Sequence, residues 1–240
     1  MKARAKPKVL LWDIEATNLS APFGTILCIG YKWLGEKKVY VPTILDFAET
    51  GHRLSDEVLV DHFAEVYAEA DYTVAHYGVR YDLPMVNSKL IKYGKKPLPP
   101  IPMIDTWWIA RTVMKMHSNR LGAIAEYLST KNAKTPITFD DWLQAAAGNH
   151  DAIKQVVKHC KADVLTLEEV FIKLRPWIKM QPASGLFSGE ITGCVNCGGF
   201  NVHNRGFHVT KTKRFQRRQC QDCGKWQRSS HADLSIKTMV

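Results

Sequence analysis

Long apolar runs are missing from this sequence. No stretch approaches the ~20 apolar residues that a membrane helix needs, so no membrane partner is expected. The basic start MKARAKPK leads into only four apolar residues, Val9 to Trp12. That is too few for the apolar region of a secretory leader. Internal repeats and low-complexity tracts are also missing, which sets aside repeat architectures. Acidic residues are outnumbered, 23 against 33 Lys and Arg, for a formal net charge of +10. This balance favours a polyanionic partner, although a merely soluble basic protein would carry the same sum. Cysteine is sparse, with six residues. Without an export signal these are expected as reduced thiols in a cytoplasmic protein. At 240 residues and 45% apolar content, the chain has room for one good-sized core and a small appendage.

What is present is organised around KVLLWDIEATNL, residues 8–19. Val9 to Trp12 read as a buried strand. Asp13 and Glu15 follow it, one residue apart. In a strand, positions i and i+2 share a face. Two unpaired carboxylates side by side repel each other and lose hydration, and a divalent cation between them removes both penalties. This stretch therefore reads as half of a metal site.

Residues 25–34 and 38–41 are expected as two further strands turning at Gly35-Glu36, which makes an opening antiparallel meander. Residues 55–70 have helical apolar spacing at Val58, Leu59, Phe63, Val66 and Tyr67, with Ser55 as N-cap. A strand at 72–76 follows, then a helix over 83–93 ended by Gly94. A short strand at 101–104 runs into Asp105-Thr106 and a Trp-rich helix. Helices over 121–128, 139–147 and 149–172 complete the pattern, and QPASGLFSG reads as a linker. The order is β-β-β-α-β-α-β followed by helices, an α/β domain with a mixed sheet.

Two more carboxylates fall where such a site needs them. Asp82 lies past a strand, at the start of a helix. Asp163 lies on the last long helix, with His159 one turn before it on the same side. Four carboxylates converging from these elements would hold two divalent cations about 3.5–4 Å apart, an arrangement suited to in-line attack on a phosphodiester. Oxygen ligation favours Mg²⁺ or Mn²⁺. His159 beside Asp163 suits a general base, while a histidine on an exposed helix face is the plainer alternative.

The same segments resemble the DEDD family of 3′–5′ exonucleases, the proofreading type with an RNase H-like fold. DIEATNL is similar to the first family motif, D-x-E-x-T-G-L. AHYGVRYDLP is similar to the second, H-N-x-x-x-F-D-x-P, and HCKADV to the third. IDTWWIAR and NRLGAIAEYL resemble the connecting segments. The likeness covers roughly residues 8–172. It implies Asp13, Glu15, Asp82 and Asp163 as metal ligands and His159 as general base. Asn18 stands where the family often has Gly, and Tyr77 replaces a usual Asn, which either removes a bracing hydrogen bond or adds a stacking ring. His159 sits at the spacing of the family's Tyr branch rather than of its His branch. Leu19 resembles the side chain that wedges against a terminal base, with ordinary core packing as the alternative.

The cysteines give the sharpest local signal. CVNCG at 194–198 and CQDCG at 220–224 match a tetrahedral structural zinc site formed by Cys194, Cys197, Cys220 and Cys223. Metal would supply the folding energy of so short a unit. It resembles a zinc ribbon. Residues 191–228 hold eight Lys or Arg and one acidic residue, Asp222, a net of +7, which leaves +3 for the rest. Phe200, Phe207, Phe215 and Trp226 are interleaved with these cations, as in single-strand binding surfaces. Lys211, Lys213, Arg214, Arg217 and Arg218 are expected to contact phosphates, with Phe215, Trp226 and Tyr77 as stacking rings.

The expectation is an RNase H-like mixed sheet flanked by helices over residues 1–178, a linker at 179–190, a zinc ribbon at 191–228 and a tail at 229–240. Its activity would be that of a metal-dependent 3′–5′ exonuclease on single-stranded DNA or RNA, using two Mg²⁺ or Mn²⁺ and one structural Zn²⁺. A replication or repair protein is a possible docking partner, and the architecture fits a bacterial or phage setting. The alternatives are a structure-specific endonuclease on the same metal core and a non-catalytic nucleic-acid-binding protein.

Overall fold

The computed structural model describes residues 7–47, 55–132, 137–179 and 181–236. Residues 1–6 of the basic start and 237–240 of the expected tail lie outside the described residues. The described chain divides into two compact units, residues 8–174 and a smaller one over residues 175–236.

The larger unit is a mixed α/β layer structure. Its strands are β1 (Val9–Ala16), β2 (Ile26–Trp33), β3 (Tyr72–Ala75) and β4 (Met103–Asp105). They lie in the order β2-β1-β3-β4. β2 runs antiparallel to β1, whereas β1 with β3 and β3 with β4 are parallel. The helices are α1 (Glu57–Ala68), α2 (Asp82–Lys92), α3 (Thr106–Val113), α4 (Leu121–Tyr127), α5 (Phe139–Ala146) and α6 (His150–Leu174). None of the described helices is long and apolar enough to cross a membrane.

Strand alternation sorts β1 into two faces. Leu10, Trp12 and Ile14 enter a core with Leu59, Phe63 and Tyr67 of α1 and Met85 and Leu90 of α2. The Trp12 ring packs against Phe63 at 4.8 Å and edge-on against Tyr67 at 6.0 Å. The opposite face receives α6, through Leu27, Cys28, Ile153, Val156 and Cys160. Gly30, paired with Asp13 across the strands, sets how closely α6 approaches. A Cβ at Gly30 would lie 2.6 Å from Cys160 Sγ and 2.9 Å from a Val164 methyl.

Three local expectations are corrected. Residues 38–41 do not form a strand. The chain returns antiparallel beside β2 through isolated bridges at Tyr31–Tyr40 and Cys28–Thr43, because Pro42 has no N–H to continue a ladder. Ser55 does not cap α1. It accepts from Glu57 N at 3.2 Å, while the cap position falls to Asp56, whose side chain makes no cap bond. That buried carboxylate instead accepts from Ile26 N at 2.8 Å and pairs with Lys89 at 3.1 Å, tying α1, β2 and α2 together. Val58, expected on the buried face of α1, is exposed. The last helix extends to Leu174, and α5 opens with a capping box between Thr138 and Asp141.

In the smaller unit a helical turn, α7 (Gly185–Ser188), falls within the segment expected as linker. It precedes β5 (Val202–Val209), β6 (Lys213–Cys220), β7 (Trp226–Arg228) and β8 (Leu234–Ser235). β6 pairs antiparallel with the other three.

Candidate active site and metal centres

β1 continues past its pairing with β3, which ends at Leu11. The freed N–H of Ile14 is taken by Asp82 Oδ1 at 3.1 Å. This bond draws the first residue of α2 to the strand that carries Asp13 and Glu15. Gly78 makes the turn from β3 to α2 compact, since a Cβ there would meet that of Ala75 at 2.4 Å and stand 3.6 Å from Asp82 Oδ2.

On the α6 side, His159 Nε2 lies 3.8 Å from Glu15 Oε1 and 3.7 Å from Asp163 Oδ2. His159 is only 5% exposed, so the surface-histidine alternative fails. Asp163 and His159 share a helix face one turn apart, and Gly30 lets that face close on β1. The donor atoms of Glu15, His159 and Asp163 lie within 4.8 Å of one another, as do those of Asp13, Glu15 and Cys160. Glu15 is common to both groups, and Asp82 joins them through its bond to Ile14 and through its charge acting on Asp13.

Electrostatics follow from this crowding. Burial first, then the charges of Glu15, Asp82 and Asp163, push the Asp13 carboxyl well above its ordinary range. Burial also raises Asp82, to about 7, against the opposing hydrogen bond from Ile14 N–H. Tyr81 is pushed up to about 12 by burial and by the charges of Asp82, Glu15 and Asp13. A site of this kind is costly when empty and favours a divalent cation. Carboxylate oxygens are the hard donors that such cations take.

Leu19 is 83% exposed, which rules out core packing for it. Tyr77 projects from the β3–α2 turn with φ at 65°. Three neighbours of the site carried no clear signal in the sequence. Cys160 Sγ stands 4.0 Å from Asp13 Oδ2, and nothing in its sequence position brings it to the carboxylates. Tyr81 and Asp105 sat inside motif-like segments, but their roles depend on which loops meet.

In the smaller unit, Cys194, Cys197, Cys220 and Cys223 place their sulfurs within 4.8 Å of one another. Cys194–Cys223 and Cys197–Cys220 are separated by 3.6 and 3.7 Å. A Zn–S bond of about 2.3 Å in a tetrahedron requires sulfurs about 3.8 Å apart, so the four thiols fit zinc. Each C-x-x-C-G turn closes with the Gly N–H on the first cysteine carbonyl, Gly198 to Cys194 at 2.9 Å and Gly224 to Cys220 at 3.0 Å. Both glycines have φ of 76°, a conformation that L side chains resist. Backbone N–H groups of Asn196 and Gly199 point at Cys194 and Cys197 sulfurs at 3.4 Å.

The predicted phosphate-contacting residues fall mainly on β6. Lys211, Lys213 and Arg217 are exposed, with Arg214 and Arg218 partly so. Arg214 also pairs with Asp233 at 3.0 Å and covers Phe207 at 4.2 Å, and Arg217 lies 5.2 Å from the Trp226 ring. Phe215 departs from expectation. It is 8% exposed and covered by Arg228 at 3.9 Å, so it packs the sheet rather than offering a free ring.

A family model, RNase_H_2 of the RNase_H superfamily, matches residues 10–175. The chain belongs to the RNase H superfamily. All four acidic positions and His159 lie within the RNase H region. The chain is also 30% identical over 135 residues to a DNA polymerase III PolC-type protein of Ureaplasma parvum serovar 3, an alignment covering 49% of this chain and 9% of that protein. It thus spans under a tenth of that relative's length. Among solved structures, the family B DNA polymerase from Pyrobaculum calidifontis superposes with a TM-score of 0.55 at 15% identity, over 71% of this chain and 25% of the polymerase.

Proposed function

We propose that this protein is a metal-dependent 3′–5′ exonuclease that shortens single-stranded DNA or RNA and releases nucleoside monophosphates. The observation that carries the reading is the cluster of Glu15, Asp163 and His159 beside Asp13, with Asp82 tied to the same strand through Ile14. The polymerase relatives support a nucleic acid substrate. The 3′–5′ direction rests on the resemblance of the three motifs to DEDD exonucleases.

In this reading the four carboxylates hold two Mg²⁺ or Mn²⁺. When bound, the ions supply activation of a water and neutralisation of charge on the departing oxygen. His159 accepts the proton of the attacking water. Its buried imidazole faces Glu15 and Asp163 and is held by α6. Leu19, standing free beyond β1, wedges against the terminal base. Cys194, Cys197, Cys220 and Cys223 hold a structural Zn²⁺, and the cationic face of β6 adds affinity for the phosphate backbone. A replication or repair assembly is the natural partner of such an activity.

The test uses 5′-labelled single-stranded DNA and RNA of one sequence, with Mn²⁺, with EDTA and with a 3′-phosphate block. A metal-dependent ladder shortening from the 3′ end is expected, and Asp13→Ala or Asp163→Ala abolishes it. Cleavage of a covalently closed circle would redirect the reading to an endonuclease. Binding with no cleavage would leave a nucleic-acid-binding protein.

A further inference from the structure

Three aromatic rings stand together on the larger unit, outside its core. Tyr77 and Trp107 meet at 5.0 Å edge-on, and Trp107 stacks on Trp108 at 6.0 Å with planes 26° apart. Tyr77 is 41% and Trp108 57% exposed, and rings exposed together, unlike rings scattered singly, mark an interaction surface. Their backbone is held by one group. The buried Asp105 carboxylate accepts from Tyr77 N at 2.9 Å, Val79 N at 3.2 Å, Trp107 N at 3.0 Å and Trp108 N at 3.3 Å. These bonds fix the β3–α2 turn to the start of α3. They also hold Tyr77 at φ 65°, which a β-carbon residue adopts only under constraint. The fold therefore keeps a strained aromatic residue in place and leaves its ring facing solvent.

Location indicates what the rings are for. β1, β3 and β4 are parallel neighbours, so their carboxyl ends share one edge of the sheet. Glu15, Tyr77 and Trp107 all follow or end those strands, which puts the rings on the edge that carries the acidic centre. Two cations accompany them, the exposed Arg80 in the turn and Arg111 lying 5.4 Å from the Trp107 ring. Flat π-faces beside guanidinium groups suit a base and its phosphate.

We infer that Tyr77, Trp107 and Trp108 form a ledge on which an unpaired base of the substrate strand stacks next to the acidic centre, with Asp105 as the residue that positions it. The inference rests on the nucleic-acid reading above and narrows it: the ledge takes strands with unpaired, stackable bases and discriminates against strands lacking a base at that place.

The test uses the full chain without added Mg²⁺ or Mn²⁺ and oligonucleotides carrying 2-aminopurine or an abasic site at each of the last four positions from the 3′ end. Binding is expected to quench 2-aminopurine at one or two adjacent positions. Trp108→Ala and Tyr77→Gly should abolish that quenching and weaken binding about 5- to 150-fold. Tyr77→Gly removes the ring and the strain together, so its thermal stability should not fall, and misfolding cannot mimic the result. On an oligonucleotide abasic at the quenched position, both variants should bind like the parent. Equal losses on normal and abasic strands, or parental affinity for both, would overturn the ledge. Quenching without any metal-dependent cleavage would keep the ledge and remove the exonuclease reading. Cleavage by a chain whose ledge variants act as the parent would do the reverse.

Discussion

Gly30→Ala is the sharpest perturbation of the arrangement that builds the site. Gly30 faces Asp13 across β1 and β2, and its missing Cβ is what α6 occupies. An added methyl would stand 2.6 Å from Cys160 Sγ and 2.9 Å from Val164 Cγ2, where ordinary contact needs about 3.5–4 Å. Both neighbours are fully buried, so the helix must shift by about 1 Å or the side chains must leave their rotamers. Overpacking of this kind costs about 1–3 kcal/mol, offset by about 0.4–1 kcal/mol from the stiffer unfolded chain. The net loss should be about 1–2 kcal/mol, read as a lower urea midpoint with an unchanged slope. Activity should suffer more than stability, because Asp163 and His159 flank Cys160 on the moving helix. A 1 Å misplacement is worth about a hundredfold in rate. Cys160→Ala in the Gly30→Ala background should recover part of both losses. Full stability and full cleavage in Gly30→Ala alone would refute the claim that helix approach sets the site.

Further outcomes follow from the same geometry. Asp82 binds protons more tightly folded than unfolded, so metal-free stability falls as pH rises from about 4 to about 7. The loss attributable to it is at most roughly 4 kcal/mol at about 1.4 kcal/mol per pH unit. Asp82→Asn should therefore gain on the metal-free parent in thermal unfolding at pH 7 but not at pH 4, and a constant difference would contradict this. Mn²⁺ should raise the parent's melting temperature at pH 7 and do little for Asp82→Asn. A strong chelator should release one zinc per chain and melt the smaller unit, seen as loss of amide protection on β5 and β6; retained protection would argue against a structural metal. Charge reversal at Arg214, Arg217 and Arg218 should weaken binding and flatten its salt dependence while sparing cleavage of very short substrates. Equal loss on dinucleotides would break that division of labour.

What could be read from the chain alone was mostly local. The apolar run before Asp13, the i and i+2 spacing of Asp13 and Glu15, and the i to i+4 spacing of His159 and Asp163 depend on strand and helix periods. The element order of the larger unit was legible for the same reason. The two C-x-x-C-G turns were legible because their geometry lies within five residues. The failed strand at 38–41 shows the limit: its residues alternate well enough, and Pro42 spoils the ladder only once a partner strand is in place. Phe215 was misjudged because its sequence neighbours are cations, while its burial comes from Arg228 on another strand.

Distances between elements could not be inferred in that way. No spacing in the sequence says that Asp82 takes the free N–H of Ile14, that Gly30 is the recess for Cys160, or that Asp105 ties the Tyr77 turn to α3. Each depends on residues tens of positions apart meeting at ångström precision, which only packing determines. The sequence by itself determined the chemistry available, four carboxylates, a histidine and four thiols on recognisable elements. The tertiary structure alone decided that Glu15, Asp163 and His159 meet and that Asp82 is tied to the strand bearing Asp13, because convergence is set by how the sheet and helices close on one another.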